Sequence, residues 1–225
     1  MNFKIDCRPA AAVLNLSLDP GETITCEVGA MIAMTAGITV ETTSHKRGKG
    51  GLLKGLKRMF AGENFFLNHF TARHDNQTLM LGPQLMGDIV HHDLDGTLIV
   101  QGSSWLASDE GVELDASFQG LGKAIFSGES VFWLKCSGRG DLFLSSFGAI
   151  YEVDVDGEFT VDTGHIVAFE DTLDFRIGKA SRSLIGSFLG GEGLVCKFSG
   201  TGKLYCQSHN PPSFGQMLGP KLRAR

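Results

Sequence analysis

What the chain lacks narrows the field first. No apolar run approaches the ~18 residues of a spanning helix, and the start, Met1-Asn2-Phe3-Lys4-Ile5-Asp6, resembles neither a signal peptide nor an Arg-rich transit peptide. The expectation is a cytoplasmic protein, at most peripheral at the inner membrane. The five cysteines (7, 26, 136, 196, 206) contain no CxxC, and the histidines contain no HxxxH. That argues against a zinc site or a disulfide framework and for reduced, mostly buried thiols. No Ser has Gly at both −2 and +2, so there is no nucleophile elbow. Neither a GxxxxGKS/T phosphate loop nor a complete GxGxxG occurs. With 20 basic against 25 acidic residues, the chain is not a generally basic nucleic-acid binder. No catalytic constellation, metal set or cofactor motif is found, and the chain reads as a non-enzyme.

Glycine is what the sequence has in excess: 30 of 225 residues, roughly twice the usual ~7%. Helix interiors do not tolerate that much Gly, whereas tight turns demand it. The glycines fall in a threefold pattern. Ala33-Met34-Thr35-Ala36-Gly37-Ile38 is echoed by Ala107-Ser108-Asp109-Glu110-Gly111-Val112 and, more loosely, by Ala168-Phe169-Glu170-Asp171-Thr172-Leu173. Downstream of each comes a Gly-Glu step, at 62, 128 and 191. Pro20-Gly21, Asp95-Gly96 and Asp156-Gly157 open the three copies and read as hairpin turns. Ser137-Gly138-Arg139-Gly140 and Ser199-Gly200-Thr201-Gly202 read as turns further on. Segments such as Tyr151-Glu152-Val153-Asp154-Val155 alternate at period two. About six short strands per unit are expected, in units 8–84, 85–147 and 148–215 of one 1–225 domain. One short helix is expected before each Gly-Glu step, within 52–60, 121–126 and 184–189. Even spacing of short strands with Gly turns indicates an all-β sandwich or barrel.

These residues together closely resemble the altered-inheritance-of-mitochondria family of bacterial and mitochondrial proteins. The resemblance rests on the order and spacing of Pro20-Gly21-Glu22, Gly29-Ala30-Met31-Ile32-Ala33-Met34, Gly50-Gly51-Leu52-Leu53 and Gly128-Glu129. Leu144-Ser145-Ser146-Phe147-Gly148, Val161-Asp162-Thr163-Gly164-His165, Gly190-Gly191-Glu192-Gly193 and Gln207-Ser208-His209-Asn210 complete it. It implies a fold like the tryptophan RNA-binding attenuation protein: tandem β-sandwich or double-stranded β-helix repeats, assembled as a ring-like homotrimer. Mitochondrial members are tied to inner-membrane organisation. The RNA site of the namesake fold has no matching residues here, and fold does not imply function.

Single residues read mostly as structure. A Glu recurring three times is a turn device rather than an acid, since catalysis needs its acid once, in distinct company. His92 reads as a hydrogen-bonded core or interface residue, and Trp105 and Trp133 as core. Asp109, Glu110, Asp171 and His165 are scattered polar candidates without a required spacing.

The best functional lead is basic. Lys46, Arg47, Lys49, Lys54, Lys57 and Arg58 lie together, and no Asp or Glu occurs from Thr42 to Gly62. The segment carries +6, leaving 14 basic against 25 acidic residues elsewhere, or −11. Its apolar residues, Leu52, Leu53, Leu56, Met59 and Phe60, fall at helical spacing. A basic amphipathic helix fits an anionic membrane, the phosphates of a nucleic acid, or an acidic patch on a neighbouring subunit. The expected function is a non-catalytic oligomeric β scaffold or binding protein. A peripheral membrane protein docking through 46–58, and a binder of small ligands or nucleic acid, stand as alternatives.

Overall fold

Alternation at period two builds the first sheet. In β2 (Val13–Leu18) Leu14, Leu16 and Leu18 are buried while Asn15 and Ser17 lie on the opposite face. β7 (Gln77–Leu81) runs antiparallel beside it, setting Leu79 against Leu16 and Leu81 against Leu14. β1 (Asn2–Asp6) covers the other edge of β2, and β4 (Met31–Met34) pairs the far side of β7. The computed structural model describes residues 1–44, 66–115, 133–179 and 194–222. Among these the chain is mostly β-strand, and no helix is long and apolar enough to cross a membrane.

The Pro20-Gly21 turn forms as expected. The Glu22 amide donates to the Asp19 carbonyl at 3.0 Å, and Gly21 takes φ +85°, as a type II turn requires. β3 (Thr23–Glu27) leaves it and pairs β6 (Phe66–Ala72), which pairs β5 (Ile38–Ser44).

The other glycine steps are not turns. Asp95-Gly96 lies inside β8 (Ile89–Gln101) and Asp156-Gly157 inside β12 (Ile150–Asp162). Ser137-Gly138-Arg139-Gly140 lies inside β11 (Trp133–Ser145), and Ser199-Gly200-Thr201-Gly202 inside β15 (Leu194–Gln207). The reason is a pairing that sequence order hides. Gly96 sits opposite Gly138, and Gly157 opposite Gly200. All four have positive φ, +126°, +119°, +101° and +115°. Both strands leave the ordinary pleat at the same level, so the ladder continues on either side. Among the described residues the run of six short strands, β2–β7, is therefore confined to 13–81. Beyond it the order is a long strand, a one-turn 3-10 helix, two short strands and a long strand, followed by the same order again.

β9 (Trp105–Asp109) and β13 (Ile166–Glu170) knit the long pairs together. The main sheet runs β12-β15-β13-β8-β11-β9-β3-β6-β5, with β10 (Val112–Asp115) on β11 and β14 (Asp174–Lys179) on β15. Three apolar clusters fill it, and β8 serves all of them. Ile89 packs with Leu14 and Phe143, Leu94 and Val100 with Trp105, and Ile99 with Trp133 and Phe169. Arg8 ties the amino-terminal segment to this body. Its Nε and Nη2 donate to the two carboxylate oxygens of buried Asp88, at 2.7 and 2.9 Å.

The helices expected at 52–60, 121–126 and 184–189, and the three Gly-Glu steps, lie outside the described residues. A helix not foreseen, α1 (Pro211–Leu218), follows β15. The Asn210 side chain accepts the Ser213 amide, and two prolines occupy the first turn, where no donor is missed. All five cysteines are unbridged, and burial pushes the thiols of Cys26, Cys136 and Cys196 up to about 12.

The glycine pairs can be tested by adding one methyl. At Gly96 it meets open space, so Gly96→Ala carries backbone strain alone, about 1–2 kcal/mol. At Gly138 it also sits 2.3 Å from the Gly111 carbonyl oxygen, so Gly138→Ala loses more, about 2–4 kcal/mol. Urea unfolding of both variants checks the ranking; equal stability of Gly138→Ala and the parent contradicts the mid-strand pair.

Candidate functional site

The structure does not assemble the polar candidates into a site. Asp109 is spent on backbone: its Oδ1 accepts the Gly111 amide and its Oδ2 the Asp141 amide, each at 2.9 Å. His165 Nδ1 bonds the Gln207 carbonyl oxygen at 2.8 Å. Glu110 directly follows Asp109 at the end of β9, and Asp171 follows β13. Among the described residues no group of three or more His, Cys, Asp or Glu could hold a metal. The basic cluster Lys46, Arg47, Lys49, Lys54, Lys57 and Arg58 lies outside the described residues, in the stretch linking β5 to β6.

His91 and His92 diverge, as neighbours in a strand must. His91 Nε2 lies 2.7 Å from Asp141 Oδ1, with the Phe3 ring 4.5 Å away. His92 Nδ1 lies 3.0 Å from the Tyr205 hydroxyl. Burial lowers the His92 pKa and pushes Tyr205 up to about 12, so both stay neutral at physiological pH. This is a structural pair that joins β8 to β15. Trp105 and Trp133 are buried core residues.

What stands out is unfinished pairing. β9 lies between β11 and β3, and β13 between β15 and β8. β4 occupies the corresponding place in the chain, but among the described residues it pairs β7 alone. The three strands share a detail of register. Each slips by one residue against one partner, β7, β11 and β15 in turn, with Ile32, Leu106 and Val167 as the extra residues and Ala33, Ala107 and Ala168 directly after. Those alanines are the ones the sequence pattern aligns. Leu106 and Val167 are 0% exposed, whereas Ile32 is 53% exposed. Met31 and Met34 flank it, also exposed.

β12 is the matching vacancy. β3 receives β9 through Ile24, Thr25 and Cys26, and β8 receives β13 through Leu98, Ile99 and Val100. Two to four residues beyond its own mid-strand glycine, β12 offers Phe159, Thr160 and Val161. Among the described residues it pairs β15 alone, and Phe159 is 39% exposed. β12 also carries Glu152, Asp154, Asp156 and Glu158. Charge on an open edge limits indiscriminate pairing. The sequence reading missed both edges. The readable signal was Met31-Ile32-Ala33-Met34, four apolar residues in a row, too short for a helix and without the alternation of a half-exposed strand.

Glu27 ends β3 and opens the turn into β4, where the Ala30 amide donates to its carbonyl at 3.2 Å. Burial raises its carboxyl to about 7, and Gln84 Nε2 donates to it at 3.2 Å. A carboxyl whose pKa is higher folded than unfolded binds more protons folded, so stability falls as pH rises from about 4.5 to about 7. Glu27→Gln is expected to flatten that slope. At pH 8 it should gain about 1–2 kcal/mol, less than the full shift because solvent reaches the half-buried group. Urea midpoints at pH 5 and 8 decide it; an unchanged slope removes Glu27 as the cause.

Known proteins resemble this chain along nearly its whole length. The family model described as mitochondrial biogenesis AIM24 matches residues 3–209. An uncharacterized protein of Streptococcus pyogenes serotype M6 is 30% identical over 224 residues, covering 97% of this chain and 90% of the relative. The crystal structure of protein SPYM3_0169 from Streptococcus pyogenes superposes with a TM-score of 0.79 at 27% identity, covering 98% of this chain and 99% of that one.

Proposed function

The chain belongs to the AIM24 mitochondrial biogenesis family, and on that premise we propose a non-catalytic β scaffold whose copies join head to tail through β4 and β12. In this reading residues 8–84, 85–147 and 148–215 are three repeats of a fold like the tryptophan RNA-binding attenuation protein. β4 of one copy takes the place against β12 of the next that β9 takes against β3 and β13 takes against β8. The register extends from the internal joints. Val100 opposite Ala168 and Ile99 opposite Phe169 become Val161 opposite Ala33 and Thr160 opposite Met34. The single observation that carries the reading is Ile32, exposed where Leu106 and Val167 are fully buried.

A head-to-tail joint uses two different surfaces, so it either closes into a ring or runs on as a filament. Three copies closing a ring is the count the family resemblance implies. The partner is therefore another copy of the chain, and no substrate, cofactor or nucleic acid enters.

Cysteine pairing tests the register. In a Cys7→Ser background, Met34→Cys with Thr160→Cys is expected to link copies on mild oxidation or with a short bismaleimide. Each single variant should not. Ile32→Asp, a change at an exposed position, is expected to lower the native mass to that of one 24.2 kDa chain without loss of strand signal in circular dichroism. A parent protein that is monomeric at micromolar concentration, or a double variant that never links, overturns the proposal.

A further inference from the structure

We propose that α1 and the basic residues behind it form an anchor for an anionic lipid surface. This goes beyond the assembly reading and does not rest on it. The charge of the chain is segregated. After Glu192 there is no acidic residue but five basic ones, Lys197, Lys203, Lys221, Arg223 and Arg225; residues 1–192 hold 15 basic against 25 acidic. α1 and the last three of these basic residues lie past residue 209, where the family match ends.

A helix on a folded domain ordinarily turns its apolar stripe inward. α1 has such a stripe, Phe214, Met217 and Leu218 at i, i+3 and i+4, yet none of its residues is buried. Met217 is 59% exposed, and Leu222, four residues after Leu218, is 63% exposed. One ring contact, Phe214 with Phe147 at 5.2 Å, sets the helix against the link between β11 and β12. The same link bonds Met86, 76% exposed, whose carbonyl accepts the Gly148 amide at 3.0 Å. Large apolar side chains thus stand open on α1 and beside the link it rests on, with exposed Lys221 shortly after α1 and two arginines following in sequence.

Charge complementarity selects the occupant. Apolar residues of this size seat at headgroup depth while Lys and Arg engage the lipid phosphates. The acidic body is repelled by the same surface, so the molecule approaches tail first. A neutral apolar groove on a protein partner would leave the three cations without a counterpart.

The test is sedimentation of the full chain with vesicles at about 0.1 M ionic strength. Vesicles of phosphatidylcholine with phosphatidylglycerol are expected to retain the protein, and phosphatidylcholine alone to leave it in solution. Met217→Asp with Leu222→Asp, and separately Lys221→Glu with Arg223→Glu and Arg225→Glu, should each weaken retention by about tenfold or more. Met217, Lys221 and Leu222 are exposed, so both variants should unfold in urea like the parent. Equal retention on neutral and anionic vesicles overturns the proposal. So does parental binding by both variants, the result expected if residues 46–58 made the contact. A lipid-free change of native mass in Met217→Asp with Leu222→Asp also overturns it, and reassigns the face to a contact between copies.

Discussion

A β-strand carries donors and acceptors on both edges, and a short buried strand must satisfy both or leave them in water. β9 and β13 meet that constraint by sitting between a long strand of their own hairpin-like pair and a strand from the preceding stretch of chain. The continuity of the main sheet depends on those two strands. So does the core, because Trp105, Leu106, Val167 and Phe169 become buried as the strands insert. β4 has the same slip in register and the same apolar character, and among the described residues it lacks the second neighbour. The proposed assembly is thus the internal construction of the sheet carried one step past the end of the chain.

Much of the architecture was legible. Period-two alternation marked β12, and glycine content excluded a helical fold. The alignment of Ala33, Ala107 and Ala168 picked out residues that the structure places directly after equivalent slips. The error lay in the glycine steps. Positive φ is what a turn needs, but it also serves a mid-strand crossing when the facing residue is another positive-φ glycine. Gly96 and Gly138 are 42 positions apart, and nothing local ties one to the other. Pro20-Gly21 alone was a turn because its facing segment, Arg73 to Asn76, is a turn as well.

The functional surfaces were harder to read, for a physical reason. An open edge is defined by what does not pair with it, and hydrophobicity along a sequence looks the same whether a residue is covered or bare. Ile32 and Val167 are both β-branched and apolar; only the fold, which covers one and leaves the other bare, separates them. α1 was readable in principle, since Asn210 followed by two prolines is a helix start.

Ladder lengths along the sheet are very uneven. β8 with β11, and β12 with β15, pair along thirteen residues, while β9 with β3 and β13 with β8 pair along three. Cooperative opening follows the shortest ladders first. β9 with β11 and β13 with β15 pair along three as well, so the parting lines of the sheet run along both sides of β9 and of β13. Amide hydrogens in these joints exchange with solvent sooner than those in the middle of β8 or β15. Under load the chain separates into blocks that each keep their long pair intact, more like links coming apart than a core dissolving.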